Sequence, residues 1–149
     1  MTPPAAPSEK PTEVPTAAPT ESRIQSLSAV TLTVSDLARS LRFYEPLGFA
    51  HKAGPRIAGF ASFVIGGGAG GAHGGESYLN LLEGPHDAVA GWGRVILYVA
   101  DVDAFYHQAV AAGFSPEFAP QDAPWGERYF HLRDPDGHEL SFAQPLPRP

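Results

Sequence analysis

Two side chains near the C-terminus, His131 and Glu139, carry the chemistry of a general acid–base pair. They flank the turn sequence Asp134-Pro135-Asp136-Gly137, so the adjoining strands can bring them together. A structural hydrogen bond is the commoner use of such a pair. Arg94 carries a permanent positive charge at the opening of an apolar run, RVILYV. Facing inward, it needs a carboxylate such as Glu139 or an anionic ligand oxygen; at an exposed strand start it needs neither. Trp125, within PWGERYF, offers a flat face that can grip a planar ligand or plug a core edge. Trp92 reads as a plug, and Tyr98, Phe105 and Tyr129 read as packing. His51, His73, His86, His107 and His138 are lone histidines, best accounted for as surface or hydrogen-bonded residues. The chain has no cysteine, which removes thiol nucleophiles, disulfides and thiolate metal sites. The glycine run from Gly66 to Gly75 lacks the Lys-Ser/Thr ending and helix of a phosphate-binding loop.

These residues need elements to position them. Ser28 to Val34 is β-branched and apolar, the pattern of a strand. Ser35 or Asp36 can then cap a helix on which Leu37, Leu41, Phe43, Tyr44 and Leu47 share a face, with Gly48 as its stop. Phe49 to Lys52, Ile57 to Ile65 and Ser77 to Leu82 read as three further strands. Arg94 to Val99 is the next strand, and Asp101 caps a helix from Val102 to Ala112 that Gly113 ends. Strands are expected at Ser115 to Ala119, Arg128 to Arg133 and His138 to Gln144. Residues 1 to 23 are rich in Pro, Ala, Thr, Ser and Glu and contain no aromatic, the composition of a disordered tail.

The second half repeats the first. Leu32, Val34, Asp36, Gly48 and Phe49 pair with Leu97, Val99, Asp101, Gly113 and Phe114, each pair 65 residues apart. Both helix caps and both stop glycines recur at that one offset, so the domain is a duplicated strand-helix-strand-strand-strand unit.

These segments resemble a known family. VTLTVSDLARSLRFYEPLGF and VILYVADVDAFYHQAVAAGF are similar to the two module openings of the vicinal-oxygen-chelate superfamily of glyoxalases, dioxygenases and bleomycin-resistance proteins. RYFHLRDPDGHELSFAQP is similar to its closing hairpin. The resemblance implies an α+β fold of two tandem βαβββ modules, about 24–88 and 89–149, forming a curved, barrel-like mixed sheet around a cleft with the helices outside. It also implies a ligand in the cleft and a homodimer.

Enzymes of this family usually hold a divalent metal on the first and last strands of each module, through His, Gln or Glu. Carried over by the V-x-D patterns and the hairpin, those positions fall on Ala29, Asn80, Arg94 and Ser141. Alanine cannot coordinate, arginine brings a competing charge, and asparagine and serine are weak neutral donors. The resemblance therefore implies no cofactor, and a divalent metal only if the site has moved.

The composition agrees with a small binding domain. The hydrophobic fraction is 43% and the net charge −6, which argues against a nucleic-acid partner and would favour a cationic drug. No apolar run reaches a membrane-spanning length, and the N-terminus lacks an apolar leader, so a cytoplasmic protein is expected. The leading reading is a metal-independent small-molecule-binding protein of the bleomycin-resistance type, sequestering an antibiotic through Asn80, Arg94, Trp125, Glu139 and Ser141. The alternative is a lyase, isomerase or dioxygenase in the same cleft, using His131 or Glu139. A third reading is an interaction domain with a vestigial cleft.

Overall fold

The computed structural model describes residues 27–66, 76–85 and 94–148. The expected tail, most of the glycine run, His73, His86 and Trp92 lie outside them. The first module runs β1 (Ala29–Val34), α1 (Leu37–Tyr44), a 3-10 turn (Glu45–Leu47), β2 (Ala50–His51), β3 (Phe60–Ile65) and β4 (Ser77–Glu83). The second runs β5 (Arg94–Tyr98), α2 (Val102–Ala111), β6 (Gln121–Asp122), β7 (Glu127–Arg133) and β8 (Glu139–Pro145). The sheets have the orders β1-β4-β3-β2 and β5-β8-β7-β6, so each module pairs its first strand in parallel with its last. The two βαβββ modules are those the repeat predicts. Their sheets stay separate and do not close into one barrel.

The duplication is visible in local chemistry. The Asp36 and Asp101 side chains each accept the backbone N–H of the residue three further on, both at 3.0 Å. Each such cap stabilises its helix by ~1 kcal/mol. Gly48 and Gly113 follow the helices at φ 95° and 91°, a left-handed conformation that a side chain disfavours.

Alternation along the strands gives each sheet a helix-facing and an open side. Leu32, Val34, Phe63, Leu79 and Leu81 of the first sheet join Leu97, Phe130, Leu132, Leu140 and Phe142 of the second in one core. The ring of Phe43 of α1 lies 4.8 Å from that of Phe114, and the ring of Phe49 lies 6.4 Å from that of Phe142, so aromatic rings join the modules. Below the core, the Tyr44 hydroxyl donates to Asp134 at 2.8 Å, both groups buried. Asp134 also accepts the backbone N–H groups of Asp136 and His138. Burial pushes its carboxyl above the ordinary 3.8 despite these donors.

One expected strand is absent. Residues 115–119 form bends, and the edge strand comes later at Gln121–Asp122. Pro116 and Pro120 lack the N–H groups a ladder needs. One backbone bond, Glu117 N–H to the His131 carbonyl at 2.9 Å, joins this segment to β7.

Candidate functional site

The open face of the second sheet carries most of the candidate residues, in rows fixed by strand register. Arg94 stands opposite Glu139, which stands opposite Arg133. In the next row Ser141 lies between Ile96 and His131; in the third, Ala143 lies between Tyr98 and Tyr129. Glu139 is thus placed between two arginines by backbone geometry. The Arg94 Nε donates to Glu139 Oε2 at 2.8 Å, and Arg133 Nη2 lies 3.6 Å from Glu139 Oε1. Arg133 Nε also meets Glu117 at 2.7 Å.

His131 sits at the centre of this network with its side chain only 9% exposed. Its Nδ1 lies 3.4 Å from Glu139 and 3.7 Å from Glu117, while its Nε2 lies 3.5 Å from Arg94 Nη1. A guanidinium can only donate, so Nε2 must be the accepting nitrogen and Nδ1 must carry the proton. The neutral ring satisfies both neighbours at once. Burial, then the Arg94 charge, hold its pKa below the ordinary 6.5, outweighing the two glutamates. His131 and Glu139 do meet, as their strands suggest, but the histidine's basic nitrogen faces a cation. A base in that setting accepts a substrate proton only if Arg94 moves aside.

Glu117, His131 and Glu139 place donor atoms within 4.8 Å of one another, a spacing that three ligands of one cation could share. The family's metal positions map elsewhere, onto Ala29, Asn80, Arg94 and Ser141, where no metal was expected. Those positions are divided between the sheets: Asn80 pairs with Thr31 on the first, and Ser141 with Ile96 on the second. The Asn80 amide donates to the Thr31 hydroxyl at 3.2 Å. A methyl group, an amide, a guanidinium and a buried hydroxyl do not make a divalent site. The Glu-His-Glu cluster is chemically closer, but its carboxylates already hold Arg94 and Arg133, and an incoming cation would have to displace both.

Along the same face, the Tyr98 hydroxyl and the Trp125 indole N–H both donate to Glu127, the latter at 3.2 Å. The bond to Glu127 raises the Tyr98 pKa. The Trp125 ring lies 5.4 Å from that of Tyr129 and is 64% exposed, so it plugs nothing in this chain. Ile96 and Tyr98 are also exposed.

Sequence reading missed Glu117 and Arg133. Arg133 was accessible in principle, because it lies two residues beyond His131 on one strand and so shares its face. Glu117 was not, because its segment reads as a strand and is joined to β7 by one backbone bond. The first sheet's open face was also underestimated. Beside Asn80 it forms a cleft of about 650 Å³ lined by Lys52, Arg56, Ser62 and Tyr78.

The fold agrees with that of known proteins. A family model described as Glyoxalase/Bleomycin resistance protein/Dioxygenase superfamily matches residues 26–142. The chain belongs to this superfamily. Among superfamily structures, it aligns with a bleomycin resistance determinant encoded on the transposon Tn5 at 26% identity. That match covers 80% of this chain and 98% of the other, with a TM-score of 0.64. A bleomycin-binding protein complexed with bleomycin aligns at 27% identity, covering 81% and 98%, with a TM-score of 0.60. An uncharacterised Mycobacterium bovis protein is 44% identical over 50 residues, which are 34% of this chain and 33% of that one. The match spans about a third of the length of that curated relative. No helix among the described residues is long and apolar enough to cross a membrane.

Proposed function

We propose that this superfamily member is a metal-independent binding protein that sequesters a small organic molecule, of the antibiotic class, on its open sheet faces. The observation that carries the reading is the Arg94–Glu139 pair. Where family enzymes present a metal ligand, this chain presents a guanidinium already bound to the adjacent carboxylate at 2.8 Å. The remaining Arg94 N–H groups can meet an anionic or carbonyl oxygen of a ligand without a metal. Trp125, Tyr98 and Tyr129 supply flat surfaces beside it, suited to a planar ring system. The bleomycin-binding neighbours support small-molecule binding as the use of this scaffold. The exposed Ile96, Tyr98 and Trp125 also support a homodimer in which a second copy covers part of this face.

The deciding experiment has two parts. Metal content is measured on protein purified without chelators and again after dialysis against zinc, nickel and manganese. The protein is then titrated with bleomycin and with planar antibiotics, following tryptophan fluorescence. A metal-free protein that saturates with one of these drugs supports the reading. One firmly bound metal per chain, or no saturation by any drug, would sink it.

A second reading, an enzyme, is favoured by the Glu117–His131–Glu139 cluster alone. It predicts turnover that His131→Ala or Glu139→Ala abolishes. Turnover unchanged in both variants would remove these residues from any mechanism.

A further inference from the structure

The first sheet's cleft has a composition opposite to that of the whole chain. The protein carries a net charge of −6, yet the described residues lining this cleft include Lys52 and Arg56 and no carboxylate. Register places the polar floor. Asn80 lies between Thr31 and Ser62 on the open face, and the Lys52 N–H donates to the Ser62 carbonyl at 2.8 Å, which fixes the start of the following loop. The Lys52 ammonium lies 4.5 Å from the centre of the Tyr78 ring. This contact holds the cation over the cleft wall without neutralising it. Among the described residues, no carboxylate pairs with either Lys52 or Arg56. Two acids touch lining residues without pairing with these cations: Glu76 accepts the Tyr78 hydroxyl and Glu45 contacts His51. Phe60 gives the cleft an apolar side.

We infer that this cleft binds a small organic anion, a carboxylate or phosphate carried on an apolar body. Lys52 and Arg56 hold the charged head, and Asn80, Ser62 and Phe60 receive the rest. The inference deepens the binding-protein reading and rests on it. It reverses the cationic drug that overall acidity suggests, because a ligand responds to the charges within a Debye length, about 8–10 Å, more than to the net charge. Arg56 can grip either head group through two parallel N–H bonds, whereas Lys52 acts as a point charge. A cationic ligand would meet two like charges with no lining carboxylate to offset them.

The test uses matched ligands on the full chain. Amide NMR spectra are followed during titration with benzoate, phenyl phosphate, benzamide and benzamidine, which share a ring and differ in head-group charge. Benzoate or phenyl phosphate should shift the Ser62, Tyr78 and Asn80 resonances and saturate at about tenfold lower concentration than benzamide. The stronger of the two anions identifies the head group. Lys52→Gln with Arg56→Gln should raise the anion's Kd about tenfold or more. Both positions are exposed, and an amide spectrum of the variant that keeps the wild-type dispersion away from the cleft shows that it is folded. Equal binding of all these compounds, a preference for benzamidine, shifts confined to the second sheet, or an unaffected double variant would each overturn the inference. A benzamidine preference at these same residues would leave the binding-protein reading standing. That reading fails on its own test, by bound metal or absent drug binding.

Discussion

Arg94 and Glu139 stand directly opposite each other on parallel strands β5 and β8, and their side chains close a 2.8 Å ion pair along the first row of the sheet. Both members of the pair also contact a third titratable residue, whose pKa is lowered first by burial and then by Arg94, with Glu139 acting against them. Arg94 Nη1 faces His131 Nε2, while Glu139 Oε1 faces His131 Nδ1. Each ring nitrogen therefore has a neighbour that dictates its role.

Removing the guanidinium should change both partners. In Arg94→Ala, Glu139 loses its nearer cation and His131 loses a repelling charge, so the His131 pKa should rise. The Glu117–His131–Glu139 cluster should also gain measurable affinity for zinc or nickel. Imidazole NMR titration and calorimetry with each metal check these outcomes. An unmoved His131 pKa would mean that Arg94 does not set its state.

Tyr44→Phe probes the polar tie between modules. The hydroxyl is one of three donors to the buried Asp134 carboxylate, and neither partner has ready access to water. Loss of a hydrogen bond to a charged buried acceptor should cost about 1.5–3 kcal/mol, read from the urea midpoint at constant slope. A loss below about 0.5 kcal/mol would show that Asp134 is protonated or hydrated at neutral pH.

The repeat made the fold legible before the site. Asp36 with Asp101 and Gly48 with Gly113 mark helix starts and stops in both halves, and they depend only on local chemistry. The tie between Asn80 and Ser141 was legible too, because apolar residues flank each: the ladders give them equivalent places, opposite Thr31 and Ile96. The strand expected at residues 115–119 rested on their alternation, and the signal against it, the missing N–H groups of Pro116 and Pro120, was legible in the sequence. Sequence could not show that Lys52 and Arg56 share a cleft. They lie in a short irregular segment whose path is set by contacts with β3 and has no period to read.

The same duplication makes a quantitative prediction. At Gly48 and Gly113 a Cβ would meet nothing within 4 Å, so Ala substitution is penalised by backbone conformation alone. Gly48→Ala and Gly113→Ala should each cost about 1–2 kcal/mol and agree closely with each other. Paired denaturation curves measure this. Strongly unequal costs would mean that the two turns relax differently and are equivalent in shape only.

Stability against pH should report the neutral state of His131. Its folded pKa lies below 6.5, the ordinary value that the unfolded chain should show. As pH falls through 6.5, the unfolded chain takes up a proton that the folded ring still refuses, so folding stability must drop. The drop continues until pH passes the folded pKa and then stops. Burial is the main cause of the low pKa; Arg94 is the principal repelling charge and Arg133 adds to it, while Glu139 and Glu117 act against them. Asp134 has the opposite sign: its raised pKa removes stability as pH rises from 3.8, but it is present in wild type and variant alike. His131→Gln lacks the titrating group and keeps a donor and an acceptor. Its urea midpoint should therefore fall less than that of wild type between pH 7 and pH 5. Parallel curves over that range would show that the His131 pKa is the same folded and unfolded, so that Glu139 and Glu117 offset both burial and the arginines at the ring.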